Sequence, residues 1–365
     1  MKLPIGIQTF ERIQKEGFLY IDKTKQIHRV LSQGNYFFLS RPRRFGKSLL
    51  LSTMKSLYEG RKDLFEGLWI ENNWNWERQM PVIHVQFASQ GVRTLGLEKA
   101  ISSMLTEVGE ELDIKLHKKG VDVQFKELIR TAAKQSVTGK VIVLIDEYDK
   151  PIIDNLDDIP QANANRDILK RFYSVLKDSD PYLELVFITG VSRFAKTSIF
   201  SDLNNLMNLT IHRNAMDLLG ITQEEIKTYF SDKIQEIAIN ENITYDQLFD
   251  EIRHWYNGYS WNGKVKVYNP FSLLSYFVAE QFQNFWFETG TPTFLVKAMR
   301  DEGVYNINET IVSEANLNSF DYENLSVYTV LFQTGYLTIQ EQLDLGIYQL
   351  TYPCLLYTSP SPRDS

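Results

Sequence analysis

The stretch Arg41-Pro42-Arg43-Arg44-Phe45-Gly46-Lys47-Ser48-Leu49-Leu50 puts a glycine, a cation and a hydroxyl in consecutive positions. At the start of a helix that triplet makes an anion site. The unpaired N–H groups of the first turn converge on a phosphate, the lysine reaches its outer oxygens, and the serine hydroxyl can ligate Mg²⁺. The nucleotide-binding set is then Arg44, Phe45, Gly46, Lys47, Ser48 and Leu49. A second group, Asp146-Glu147, directly follows the apolar run Val141-Ile142-Val143-Leu144-Ile145. A carboxylate there complements Ser48 at a magnesium ion, so Ser48 and Asp146 are the metal candidates. Glu147 is the candidate catalytic base for an attacking water. Two acids after a buried strand are also a common solvated strand exit; their pairing with Gly46-Lys47-Ser48 makes them candidates.

The phosphate-loop pattern G-x-x-x-x-G-K-[ST] opens with glycine, whereas this chain has Arg41, and Pro42 lacks an amide donor. Those early positions shape the turn, and the donors nearest the β-phosphate come later, so the departure weakens the pattern without abolishing it. Further on, the strand-like run Leu183 to Gly190 ends in Thr189 and is followed by Val191-Ser192-Arg193. Thr189 and Ser192 compete for sensing the γ-phosphate or holding the water. Arg193 is a catalytic candidate for neutralising transition-state charge, in cis or in trans. Strand-end caps and a surface arginine are the plain alternative. Asp22 reads as a helix cap, Asp149 and Lys150 as turn residues, and Trp255 to Trp261 as buried aromatic packing around an Asn-Gly turn.

For these residues to meet, strands must deliver them to one edge. Asn35 to Ser40 is an apolar run of strand length, and Leu49, Leu50, Thr53, Met54, Leu57 and Tyr58 recur at helical spacing up to Gly60. Gly46-Lys47-Ser48 therefore falls between a strand and a helix. Strands are also expected over 81–89, 141–145 and 182–190, and helices over 95–112, 123–135 and 161–177. This alternation predicts a three-layer α/β core with a mostly parallel sheet over residues 1–210. Beyond it, Thr222 followed by Glu225 carries a capping-box signature, and further helices are expected over 245–256 and 270–282. Residues 211–345 thus read as a mainly helical lid or accessory domain.

With 365 residues, 43% of them hydrophobic, the chain can bury a sizeable core in about two to three domains. A net charge of −7 gives no global pull toward nucleic acid, so any polyanion contact must come from local clusters such as Arg41, Arg43, Arg44 and Lys47. No apolar run approaches the ~20 residues of a membrane span and the N-terminus lacks signal-peptide features, so a cytoplasmic location is expected. A single cysteine excludes an intramolecular disulfide, and the five histidines show no ligand spacing. The stretch from Cys354 to Ser365 resembles a translated sequencing adapter. Native sequence is expected to stop near Pro353, which makes 354–365 a non-native tail.

Taken together, Tyr20 to Thr24 (YIDKT), Arg41 to Gly60, Val141 to Ile152, Phe187 to Leu206, Trp255 to Tyr259 (WYNGY), Tyr268 to Leu274 and Leu331 to Ile339 resemble the AAA-ATPase-like family of bacterial and archaeal proteins. The resemblance implies an AAA+-like P-loop NTPase core, ATP and Mg²⁺ as ligands, nucleotide-binding roles for Gly46, Lys47 and Ser48, and Walker B roles for Asp146 and Glu147. It makes Arg41 a family trait and fixes no role for Thr189, Ser192 or Arg193. Full-length relatives often continue into a domain similar to PD-(D/E)XK nucleases, whose residues are absent here, so no nuclease activity is expected of this chain. The expected function is Mg-dependent ATP hydrolysis coupled to an unidentified process. The alternatives are a nucleotide-gated regulatory or scaffold switch with little hydrolysis, and DNA binding through Arg41, Arg43 and Arg44. A homo-oligomer is left open, and no membrane partner is expected.

Overall fold

The run Val141–Asp146 is buried along its whole length, which demands cover on both faces of the sheet that contains it. In the computed structural model, which describes residues 1–87, 92, 94–193, 199–286, 310–317 and 326–354, that cover is present. Helices α1 (Phe10–Lys15) and α2 (Thr24–Leu31) precede strand β1 (Tyr36–Ser40) and helix α3 (Lys47–Tyr58). Then follow β2 (Val82–Gln86), α4 (Leu97–Glu111), α5 (Val121–Gln135), β3 (Val141–Asp146), α6 (Lys150–Ile153), α7 (Ile159–Asp178), β4 (Leu183–Gly190) and the short β5 (Met207–Asn208).

The five strands form one parallel sheet in the order β2-β3-β4-β1-β5. Side chains alternate between its faces, as the period of a strand requires. Val141, Val143 and Ile145 pack with Leu105, Phe125 and Phe172 of α4, α5 and α7, whereas Ile142 and Leu144 pack with Leu51 and Met54 of α3. This is the three-layer core expected from the alternation of elements. Because all strands run the same way, the ends of β1, β3 and β4 share one edge, with Ser40 beside Gly190 and Leu39 beside Thr189. The chain reverses its order of travel across the sheet at β1, and ligands of open parallel sheets bind outside the strand ends at such a switch point.

Beyond Thr210 come α8 (Gln223–Asn240), α9 (Tyr245–Tyr256) and α10 (Pro270–Ala279), which share a separate apolar cluster built on Phe230, Ile234, Leu248, Ile252 and Leu273. Residues 211–345 are expected to be mainly helical, and among the described residues strands accompany the helices. The described residues continue with β6 (Thr310–Ser313), α11 (Glu314–Leu317), α12 (Val327–Thr334), β7 (Thr338–Asp344) and β8 (Ile347–Thr351), of which the strands form an antiparallel sheet in the order β6-β8-β7. Val330, Leu331, Ile339 and Leu350 join the core cluster of the parallel sheet rather than that of α8 to α10. Short alternating strands between polar turns carry little periodic signal, which is why the helical reading extended over them. No described helix is long and apolar enough to cross a membrane. Apart from Cys354, the adapter-like stretch lies outside the described residues.

Candidate phosphate-binding site

At the end of β1 the chain makes a six-residue excursion and enters α3 at Lys47, with Gly46 as the helix N-cap at φ 91°. That left-handed conformation is open to glycine and disfavoured for residues bearing a Cβ. Lys47 is buried, and its Nζ donates to the carbonyl oxygens of Arg41 (2.9 Å) and Pro42 (3.0 Å), which leaves one of three N–H donors. Burial pushes its pKa below the ordinary lysine range, opposed by the facing carboxylates of Asp146, Asp149 and Glu147.

Ser48 Oγ donates to Asp146 Oδ2 at 2.5 Å, joining the start of α3 to the end of β3 across 98 residues of sequence. Asp146 is fully buried, and its other oxygen, Oδ1, accepts from Thr189 Oγ1 (2.6 Å) and from the Glu147 amide (3.0 Å). β4 lies between β3 and β1, so Thr189 bridges the gap between the acidic strand end and the loop. Glu147 is half-buried with φ 53°, an uncommon backbone state for a residue with a side chain. Its carboxylate accepts no hydrogen bond from the described residues. Burial, reinforced by the Asp146 charge, raises its pKa above the ordinary value.

The sequence-derived candidates thus converge in part. Lys47, Ser48, Asp146, Glu147 and Thr189 occupy one edge, where the Thr189 hydroxyl donates to Asp146 and orients its carboxylate. Arg193 follows the end of β4 by three residues. The groups facing its side chain are Tyr148 and Glu314, and its amide donates to Gln333 Oε1 of α12 at 3.1 Å. Ser192 contributes only backbone: its amide donates to Asp149 at 2.6 Å and its carbonyl accepts from Tyr148 Oη.

Two residues read as ordinary from the sequence are not. Asp149 is buried, and its Oδ2 accepts from the amides of Val191 and Ser192, fastening the exit of β4 to the turn after β3. Burial pushes its pKa up to about 6. Gly190 permits this contact, because a Cβ there would lie 2.5 Å from the Tyr148 ring and 2.7 Å from Asp149 Oδ1. Arg41 is the second. Its guanidinium is fully buried and donates to the carbonyls of Ser40, Thr210 and Ala215. It also lies 3.8 Å from the Trp261 ring centroid. Burial depresses its pKa to about 9. DNA binding through Arg41 is therefore excluded, since no part of the guanidinium faces solvent. The depressed pKa and buried contacts depend on residues distant in sequence, and the only local hint was the aromatic density of residues 255–261.

The rest of the loop points the same way. Arg44 has φ 67° and places its guanidinium 3.9 Å from the Phe271 ring centroid, where burial and Arg43 lower its pKa. Phe45 is buried edge-on to Tyr259 (4.9 Å) and Trp261 (5.5 Å). Beside Gly46, an apolar cleft with about 660 Å³ of space including its open mouth is lined by Tyr20, Ile21, Phe45, Leu49, Leu219 and Pro270 among others. Among the described residues no cluster of three or more His, Cys, Asp or Glu side chains is arranged for a metal. Ser48 and Asp146 supply two hard oxygen donors, the kind and number with which a protein holds Mg²⁺ when substrate phosphates and water complete the shell.

The family model described as "Predicted AAA-ATPase" matches residues 4–200. An Azotobacter chroococcum mcd 1 protein, "Uncharacterized protein in vnfD 5'region", is 40% identical over 362 residues, covering 97% of this chain and 68% of that protein. No solved structure matches the chain. The strand-to-helix loop at 41–48 and the acidic end of β3 agree with the family match, and the chain belongs to the AAA-ATPase-like family of predicted AAA-ATPases.

Proposed function

We propose that the chain binds Mg-ATP at the edge formed by β1, β3 and β4 and hydrolyses it to ADP and phosphate. The observation that carries this reading is the Ser48–Asp146 hydrogen bond, which brings together the two oxygen ligands that nucleotide hydrolases of this class use for magnesium. Bound there, Mg²⁺ would offset the negative charge of the β- and γ-phosphates. The amides from Arg44 to Leu49 surround the phosphates, the remaining donor of Lys47 reaches the outer oxygens, and the apolar cleft beside Gly46 takes the base. Glu147 removes a proton from the attacking water through its unengaged carboxylate, while the Thr189 hydroxyl keeps Asp146 oriented.

Lys47→Ala is expected to abolish Mg-ATP binding measured by calorimetry; unchanged affinity would refute the site. Glu147→Gln is expected to bind ATP and retain it without turnover, and normal phosphate release by that variant would remove Glu147 as the base. The grip of the accessory segment on the 41–45 loop favours one second reading, a nucleotide-gated switch with little hydrolysis. Tight ATP binding without steady-state phosphate release would select it.

A further inference from the structure

A phosphate loop must hold its backbone in conformations that most residues avoid, and glycines are the usual means. Here the loop opens with five residues that are not glycine, and Arg44 sits at φ 67°, a strained state that the surroundings must over-determine. The surroundings that do so lie in the accessory segment. Trp261 stacks on Arg41, Phe271 stacks on Arg44, and Tyr259 and Trp261 meet Phe45 edge-on. Trp286 Nε1 donates to the carbonyl of Arg43 at 3.2 Å, and Gly335 lies so close to Pro42 that a Cβ on it would stand 2.8 Å from the proline ring. Each residue from 41 to 45 therefore has a partner beyond position 250. Lys47 and Ser48 instead face the core, with the loop carbonyls and Asp146 as partners.

We propose that Tyr259, Trp261, Phe271 and Trp286 are positioning residues that impose the phosphate-binding shape on residues 41–46 from outside the parallel-sheet core. The aromatic faces take the place of the missing glycines: they fix the loop by holding its side chains instead of by freeing its backbone. The proposal rests on the reading of this loop as an ATP phosphate site. It goes beyond that reading in making four aromatic side chains, none of which lines the cleft, a part of the nucleotide site that no ligand need touch.

The test compares Mg-ATP and AMP binding by calorimetry in wild type, Lys47→Ala, Trp261→Leu, Trp261→Phe and Phe271→Leu. AMP engages the apolar cleft and lacks the β- and γ-phosphates of ATP. Loss of a stacked cation–aromatic contact is expected to weaken ATP about tenfold in Trp261→Leu and Phe271→Leu while AMP stays within about twofold of wild type. Trp261→Phe, which keeps a ring against Arg41 and Phe45, is expected to restore most of the ATP affinity. Phe271 is half-buried, so Phe271→Leu carries the test even where Trp261→Leu fails to fold. ATP and AMP losing affinity equally in Phe271→Leu, or neither losing any, would overturn the positioning role. A wild type that binds no ATP, or a Lys47→Ala variant that binds it normally, would overturn the phosphate site and the positioning role with it. Normal results for those two proteins beside an unaffected Phe271→Leu would overturn the positioning role alone.

Discussion

Asp149 shows at the scale of one residue how the edge is held together. Its carboxylate is buried against two amides and its pKa is pushed up to about 6, so between the unfolded value near 3.8 and about 6 the folded chain binds more protons than the unfolded one. Over that window this group lowers stability as pH rises, by roughly 3 kcal/mol in total. Asp149→Asn keeps the shape without the charge. It is expected to gain about that much stability relative to wild type between pH 4 and pH 6, read from denaturant unfolding at each pH. Neither the burial of Asp149 nor that of Arg41 was legible in the sequence, because both depend on neighbours brought in by the fold. Gly46, Lys47, Ser48, Asp146 and Glu147 were legible because their types and their places at element ends suffice. Thr189 was found as a residue but not in its role, since only the strand order shows that its hydroxyl meets Asp146.

At the scale of elements, local signals set the boundaries where caps or buried runs are strong. The Thr222–Glu225 capping box starts α8 with both reciprocal hydrogen bonds, and α9 spans the Tyr245–Tyr256 range that its periodicity predicts. Glu225 does more than its sequence context shows: its Oε2 also accepts from Lys23 Nζ at 2.7 Å, tying the segment before α2 to α8. Thr222→Ala removes only the cap and is expected to cost about 1 kcal/mol in chemical denaturation. Glu225→Ala also strands the largely buried Lys23 ammonium and is expected to cost roughly 3 kcal/mol, while a loss equal to that of Thr222→Ala would show the ion pair to be inert. The antiparallel sheet of β6, β7 and β8 was the element the sequence concealed. Its edge strand β7 is exposed from Gln340 onward and so lacks the apolar alternation that marks a strand.

Across the whole molecule, the apolar cleft is lined by parts of the chain far apart in sequence: Pro4, the segment around Tyr20 and Ile21, the start of α3 with the loop before it, the stretch from Leu218 to Ile221, and Pro270 with Leu274. A ligand seated there binds the assembled chain and has no counterpart site in the unfolded one. Mg-ATP at about a hundredfold excess over its Kd is therefore expected to raise the unfolding free energy by about 2.7 kcal/mol, seen as an upward shift of the melting midpoint. Chelation of magnesium should remove most of that shift, and a shift insensitive to chelator would argue against Ser48 and Asp146 as its ligands.

The buried stack of Arg41 on Trp261 bears on how such a chain can change over evolutionary time. A glycine at position 41 would restore the familiar pattern, yet it would leave the carbonyls of Thr210 and Ala215 and one face of an indole without their partner. The loop is thus not a portable cassette to be exchanged with those of other nucleotide hydrolases. Its opening half and the accessory segment are packed as one unit, so transplanting the loop alone is expected to leave both without their partners.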